Sequence, residues 1–168
     1  MRWRTQSGTS CDRCGAIRDA ALNQDMTTDM AEARSVLVPY HADVDVVDLA
    51  HAVRRSLADG EPVGDTLRLV RQFVMDLEAT EDQSTLLAED PPSTGDARWD
   101  ALIAGVVEDF ALHHGLPAPS WVFAPSRYLS KWWFVTSFTS MRPTAIVETP
   151  AALSGRGVFI QRASLVNV

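Results

Sequence analysis

From residue 43 onward the chain alternates apolar and polar positions with a helical period. Val46, Val47, Ala50, Val53 and Leu57 recur at steps of three and four, with Asp43 or Asp45 available as an N-cap and Gly60 as a stop. After a turn over 60–64, a second helix is predicted from about 65 to 79. Its inner face carries Leu67, Val70, Phe73, Val74 and Leu77, and Arg68 and Arg71 lie opposite. The short connection makes the two helices antiparallel neighbours. Residues 80–97 form a polar connector with room for one helical turn at 84–87, before Pro91 and Pro92 break it.

The strongest pattern follows. Asp96 is placed to cap a helix whose Trp99, Leu102, Ile103, Val106, Val107, Phe110, Ala111 and His114 share one face, with Gly115 ending it. Burial at about 1.5–3 kcal/mol per large apolar side chain marks this as the core helix. His114, closing the stripe, is expected as a partly buried packing histidine.

Beyond Gly115 regularity is lost. Residues 116–121 are expected to be extended, because Pro117 and Pro119 disfavour helix in the residue before each. Residues 126–134 read as a short helix or an irregular aromatic segment, and 136–141 as a polar loop. Short strands at 145–147 and 158–160 bracket a helical turn at 151–153, with Thr149 as its N-cap and Pro150 at its first position. The fold class is therefore mostly α: a small helical bundle with an irregular C-terminal cap containing one or two short strands. Residues 42–168 are expected to be one globular domain, with a helical core over 42–115 and the cap over 116–168. Residues 1–41 read as a poorly ordered leader, since 1–25 lack periodicity and Met26 and Met30 offer later starts.

A length of 168 residues suits one core, and 46% apolar with 22% charged residues is a globular balance. No apolar run approaches the roughly 20 residues that span a bilayer, and the N-terminus lacks an apolar signal region. The cytoplasm is the expected location. Fourteen of the fifteen basic residues are Arg, a preference that a GC-rich genome produces; Lys131 is the exception. Charge is unevenly placed. Residues 42–110 hold sixteen acids against five bases, a net of −11, whereas 111–168 hold only Glu148 against Arg127, Lys131, Arg142, Arg156 and Arg162, a net of +4.

Candidate chemistry is sparse. Cys11 and Cys14 form a lone Cys-x-x-Cys, and a structural zinc site needs four ligands. His41 and His51 are scattered, while the adjacent His113 and His114 diverge by about 100° on a helix. There is no glycine-rich phosphate loop and no Gly-x-Ser-x-Gly elbow, so no catalytic residue, metal or cofactor is expected. The first two helices invite comparison with a helix–turn–helix, which would present Thr66, Arg68 and Arg71 to DNA. That pair lies in the −11 region, which repels phosphate, so a DNA-binding regulator using residues 43–79 is the alternative and not the leading reading.

The aromatic cluster is more informative. Trp121, Tyr128, Trp132, Trp133 and Phe134 fall within fourteen residues beside Arg127 and Lys131, and Trp, Tyr and Arg dominate interface hot spots. Adjacent tryptophans cannot both face inward, so one ring is left for a partner. The candidate partner-binding residues are Arg127, Tyr128, Lys131, Trp132, Trp133 and Phe134.

Several runs resemble a family of uncharacterised actinobacterial proteins. They are 92–102 (PSTGDARWDAL), 115–121 (GLPAPSW), Trp132-Trp133-Phe134, and 149–153 (TPAAL) followed by 156–160 (RGVFI). The resemblance spans about residues 60–168. Members of that family are often encoded beside nucleotidyltransferase-like toxins or described as regulators. The resemblance therefore implies an antitoxin-like, non-enzymatic protein that binds and neutralises a partner protein. It carries over no active-site residues.

Overall fold

The computed structural model describes residues 44–165. The leader expected over 1–41, with Cys11 and Cys14, lies outside the described residues. Six α-helices, two very short strands and four 3-10 turns follow. The helices are α1 (Val46–Ala58), α2 (Val63–Ala79), α3 (Gln83–Ala88), α4 (Ala97–His113), α5 (Arg142–Glu148) and α6 (Ala151–Ser154). The strands are β1 (Trp133–Phe134) and β2 (Val158–Phe159). The mostly helical architecture with a small C-terminal sheet is the one the pattern predicts.

Local chemistry explains the helix ends. The Asp45 side chain accepts from Asp48 N at 2.8 Å and so caps α1. Both α1 and α4 stop at a glycine with positive φ, Gly60 at 72° and Gly115 at 65°. Around each, two backbone bonds close the last turn: Glu61 N to Ser56 O (3.0 Å) after α1, and Leu116 N to Ala111 O (2.9 Å) after α4, with shorter-range partners alongside. α1 and α2 pack against one another and bury Val46, Leu49 and Val53 against Val70, Phe73 and Leu77.

α4 is the centre of the described unit. Its predicted stripe is buried from Trp99 to Ala111, but so are Asp100, Ala101, Ala104 and Gly105 on what reads as the other face. α1 covers one side of α4, while α6, β2 and the 3-10 turns at Ser120–Phe123 and Pro125–Arg127 cover the rest. Gly105 makes the approach of α6 possible. A Cβ there would lie 2.7 Å from Leu153 Cδ2 and 3.3 Å from Leu153 Cα. His114 departs from expectation: it is exposed as the C-cap of α4 and stacks on Phe110 at 4.1 Å between ring centroids.

The cap differs from its predicted layout in several respects. Residues 145–147 are helical, within α5, because Pro143 sits where a helix tolerates proline and Ala145 alone of the three turns inward. The strand partner of β2 is instead β1, in parallel register, Trp133 opposite Val158 and Phe134 opposite Phe159. Parallel pairing requires a crossover, and α5 with α6 supplies it. Thr149 does not cap α6, whose N-cap is Pro150. Its hydroxyl accepts from Ile160 N at 2.9 Å and lies within donating reach of the Ala145 and Ile160 carbonyls, tying the end of α5 to the strand.

Candidate partner-binding face

The six residues singled out in the sequence separate into an interior set and an exposed set. Arg127 is interior, only 6% exposed, which corrects the expectation that it makes the surface basic. Its Nη2 donates to Asp90 Oδ1 at 2.8 Å and to the Pro91 carbonyl at 2.6 Å, and its guanidinium lies 5.3 Å from the Trp121 ring centre. Trp121 is buried as well and donates from Nε1 to the Leu87 carbonyl at 3.0 Å. Together they fasten the start of the cap to the connector before α4.

The two adjacent tryptophans diverge. Trp133 is half-buried, 5.4 Å from Trp99 between ring centres, with the Arg98 guanidinium over its ring at 5.6 Å. Trp132 is 69% exposed. It is nonetheless positioned, because its ring lies 4.9 Å from Phe159, which stacks on Phe134 at 5.1 Å. Arg142 then covers Phe134 at 5.1 Å. The result is a continuous row, Trp132–Phe159–Phe134–Arg142, laid over the two-stranded sheet. Phe138 (70% exposed) and Met141, on the segment between β1 and α5, are further exposed apolar side chains.

Tyr128 is partly exposed and packs under the Arg156 guanidinium at 4.8 Å. Lys131 is exposed, and neither it nor Arg142 forms an ion pair with a carboxylate among the described residues. The exposed set is thus Tyr128, Lys131 and Trp132, with Phe134 at its edge. Phe138, Met141 and Arg142 were missed by sequence reasoning. The only signal for them was the scarcity of acids after residue 110, since the aromatics alone sit too far apart to read as one face.

The other sequence candidates lie elsewhere. Thr66, the first residue a reading helix would offer to DNA, is fully buried and bonds through its hydroxyl to Ser56 Oγ at 2.8 Å. Arg68 is held by Asp65 at 2.8 Å. No three His, Cys, Asp or Glu side chains among the described residues are grouped to hold a metal ion, and no described helix is long and apolar enough to cross a membrane. Compared with family models, with curated proteins and with solved structures, the chain finds no match.

Proposed function

We propose that the chain is an antitoxin-like interaction protein without catalytic activity, which neutralises a partner protein in the cytoplasm by covering it. The resemblance noted in the sequence implies a nucleotidyltransferase-like toxin as that partner. The observation that carries the reading is Trp132, a large aromatic side chain 69% exposed yet held in place by Phe159. A fixed, solvent-facing tryptophan loses little conformational freedom on binding and buries a large apolar area, which is why such residues anchor interfaces. Around it, Lys131 and Arg142 offer cations that form no ion pair among the described residues, so the complementary partner surface is apolar at its centre and acidic at its rim.

The test is co-expression with the product of the neighbouring gene, followed by size-exclusion chromatography and a binding titration. A complex is expected, and Trp132→Ala is expected to weaken it at least tenfold, about 1.4 kcal/mol, while leaving the fold intact. The reading is lost if the two proteins elute separately, or if a complex forms that neither Trp132→Ala nor Phe138→Ala weakens.

A further inference from the structure

On the side of α4 facing α2 and the C-terminal 3-10 turn, the molecule has a cleft of about 210 Å³. Its walls come from four parts of the chain. Val74 and Glu78 lie one turn apart on α2; Val106, Asp109, Phe110 and His113 follow one face of α4; Pro150, Arg162 and Leu165 close the remaining side. The floor is apolar. The Phe110–His114 stack forms an aromatic wall, and the charged groups stand at the rim. For scale, an apolar cavity of about 150 Å³ accommodates benzene.

Asp109 gives the cleft its chemistry. Its side chain is 23% exposed, and among the described residues no hydrogen bond reaches its carboxylate. His113 Nδ1 stands 3.6 Å from Oδ1 but is bonded to the Asp109 main-chain carbonyl at 2.7 Å. Arg162 is near enough to act on Asp109 electrostatically without forming an ion pair. A partly desolvated carboxylate normally recruits a hydrogen-bond donor, and among the described residues this one has only His113 Nδ1, at 3.6 Å and beyond hydrogen-bond range. With histidines counted as neutral, the rim holds Glu78 and Asp109 against Arg162, a net charge of −1.

We propose that this cleft binds a small organic cation, a primary ammonium group carried on a compact apolar body. The apolar part lies among Val74, Val106 and Leu165, and the ammonium donates to Asp109 with Glu78 as the second carboxylate. A cation close to an aromatic face gains further attraction, and the Phe110–His114 stack provides that face. The site lies outside the Trp132 row and is independent of the partner-binding reading.

The experiment titrates the full chain with three probes of one shape: phenethylamine, 2-phenylethanol and 3-phenylpropionate. Calorimetry reads the affinity, and NMR shifts of the Phe110 and His114 rings locate the site. Phenethylamine is expected to saturate and to bind at least tenfold more tightly than either other probe. Asp109→Asn and Glu78→Gln are each expected to reduce its affinity severalfold, Asp109→Asn the more, and Val106→Trp to abolish all three by filling the cleft. Tighter binding of the carboxylate would overturn the proposal, because Arg162 would then define the site. So would failure of phenethylamine to saturate below roughly 10 mM, which is under about 3 kcal/mol of binding free energy. Unchanged affinity in Asp109→Asn, with that variant folded by circular dichroism, would overturn it equally.

Discussion

The guanidinium of Arg156, in the glycine-flanked turn before β2, is ion-paired with the Glu108 carboxylate on α4. Arg156 is 2% exposed, and it also donates to the Val122 carbonyl at 2.6 Å and the Ala152 carbonyl at 2.9 Å. One side chain thus holds three separate stretches of chain, α4, the 3-10 turn at Ser120–Phe123 and α6. Arg127 does the same for the connector before α4 through Asp90 and Pro91. The two basic residues that lie deepest among the described ones are therefore internal fasteners, and the attraction between an acidic helical core and a basic cap is partly spent within the fold.

Replacing Arg156 by Ala is expected to destabilise the protein by about 3 kcal/mol, the lower end for breaking a buried pair, because Glu108 keeps access to water. Arg156→Lys should recover only part of this, since an ammonium cannot span Glu108, Val122 and Ala152 together. Urea unfolding of the three proteins checks it. Equal stability of Arg156→Ala and wild type would show that the network is dispensable.

Gly105→Ala tests the closest approach in the core. The added methyl group would meet the Leu153 side chain at 2.7 and 2.9 Å and its Cα at 3.3 Å, so a rotamer change alone does not relieve it and α6 must also give by a few tenths of an ångström. A loss of about 1–3 kcal/mol is expected, despite the general gain from replacing a helical glycine by alanine. Gly105→Ala with Leu153→Ala should be less destabilising than the sum of the single changes, which a double-mutant cycle measures.

How far these features can be read from the sequence depends on the distance over which each is decided. The α4 stripe and the divergence of Trp132 from Trp133 are local consequences of spacing, and both are visible in the chain. The inward Asp100 is not: it accepts from Ser93 Oγ, Thr94 N and Thr94 Oγ1, each at 2.7 Å, which turns a residue of the polar face into the organiser of the loop before α4. Ala104 and Gly105 fall outside the predicted stripe, yet they are buried, Gly105 because its lack of a side chain admits Leu153 of α6. Arg127 reads as part of a binding face because its partner, Asp90, lies 37 residues earlier. The row through Phe159 and Arg142 depends on the pairing of β1 with β2, whereas the sequence pattern put its other short strand at 145–147.

Trp99→Ala and Trp132→Ala should separate packing from surface. Trp99 is 2% exposed, and its truncation is expected to cost about 3–5 kcal/mol. Trp132 keeps most of its ring in water, and its loss should change stability by about 0.5 kcal/mol or less. Thermal unfolding distinguishes them directly. A large destabilisation by Trp132→Ala would make the Trp132–Phe159 contact a packing element and leave the proposed face without its anchor.

Asp96 caps α4, accepting from Arg98 N at 2.9 Å, and its carboxylate is also bound by the Arg98 guanidinium. That hydrogen bond, opposed by partial burial, holds the Asp96 carboxyl below the ordinary aspartate value. The unfolded chain then binds the proton more readily than the folded one. The contribution to stability is complete above the ordinary value of about 3.9 and is lost as pH falls through the lowered folded value. Asp96→Ala is expected to cost about 1 kcal/mol at neutral pH, with the difference from wild type shrinking in acid. A difference that stays constant down to the acid transition would assign the effect to backbone propensity alone.

Asp109 has the opposite sign. Desolvation raises its carboxyl above the ordinary value; His113 and Arg162 lower it in part and Glu108 raises it further, while Glu78 and His114 face the same cleft. The folded state therefore holds this proton more tightly than the unfolded chain, and the ionised form opposes folding. This penalty is full above the raised folded value and disappears as pH falls through the window between that value and the ordinary one. Asp109→Asn keeps the shape and removes the charge, so it should stabilise the apo protein at pH 7 by about 0.5 kcal/mol. The gain should vanish at pH values where wild-type Asp109 is protonated. The same substitution should weaken binding of phenethylamine, so stability and affinity move in opposite directions. Melting curves with and without the amine, for wild type and Asp109→Asn, read both. If Asp109→Asn lowers the melting temperature of the ligand-free protein at pH 7, the carboxylate is serving a structural partner, and the cleft has no unmet charge to offer a ligand.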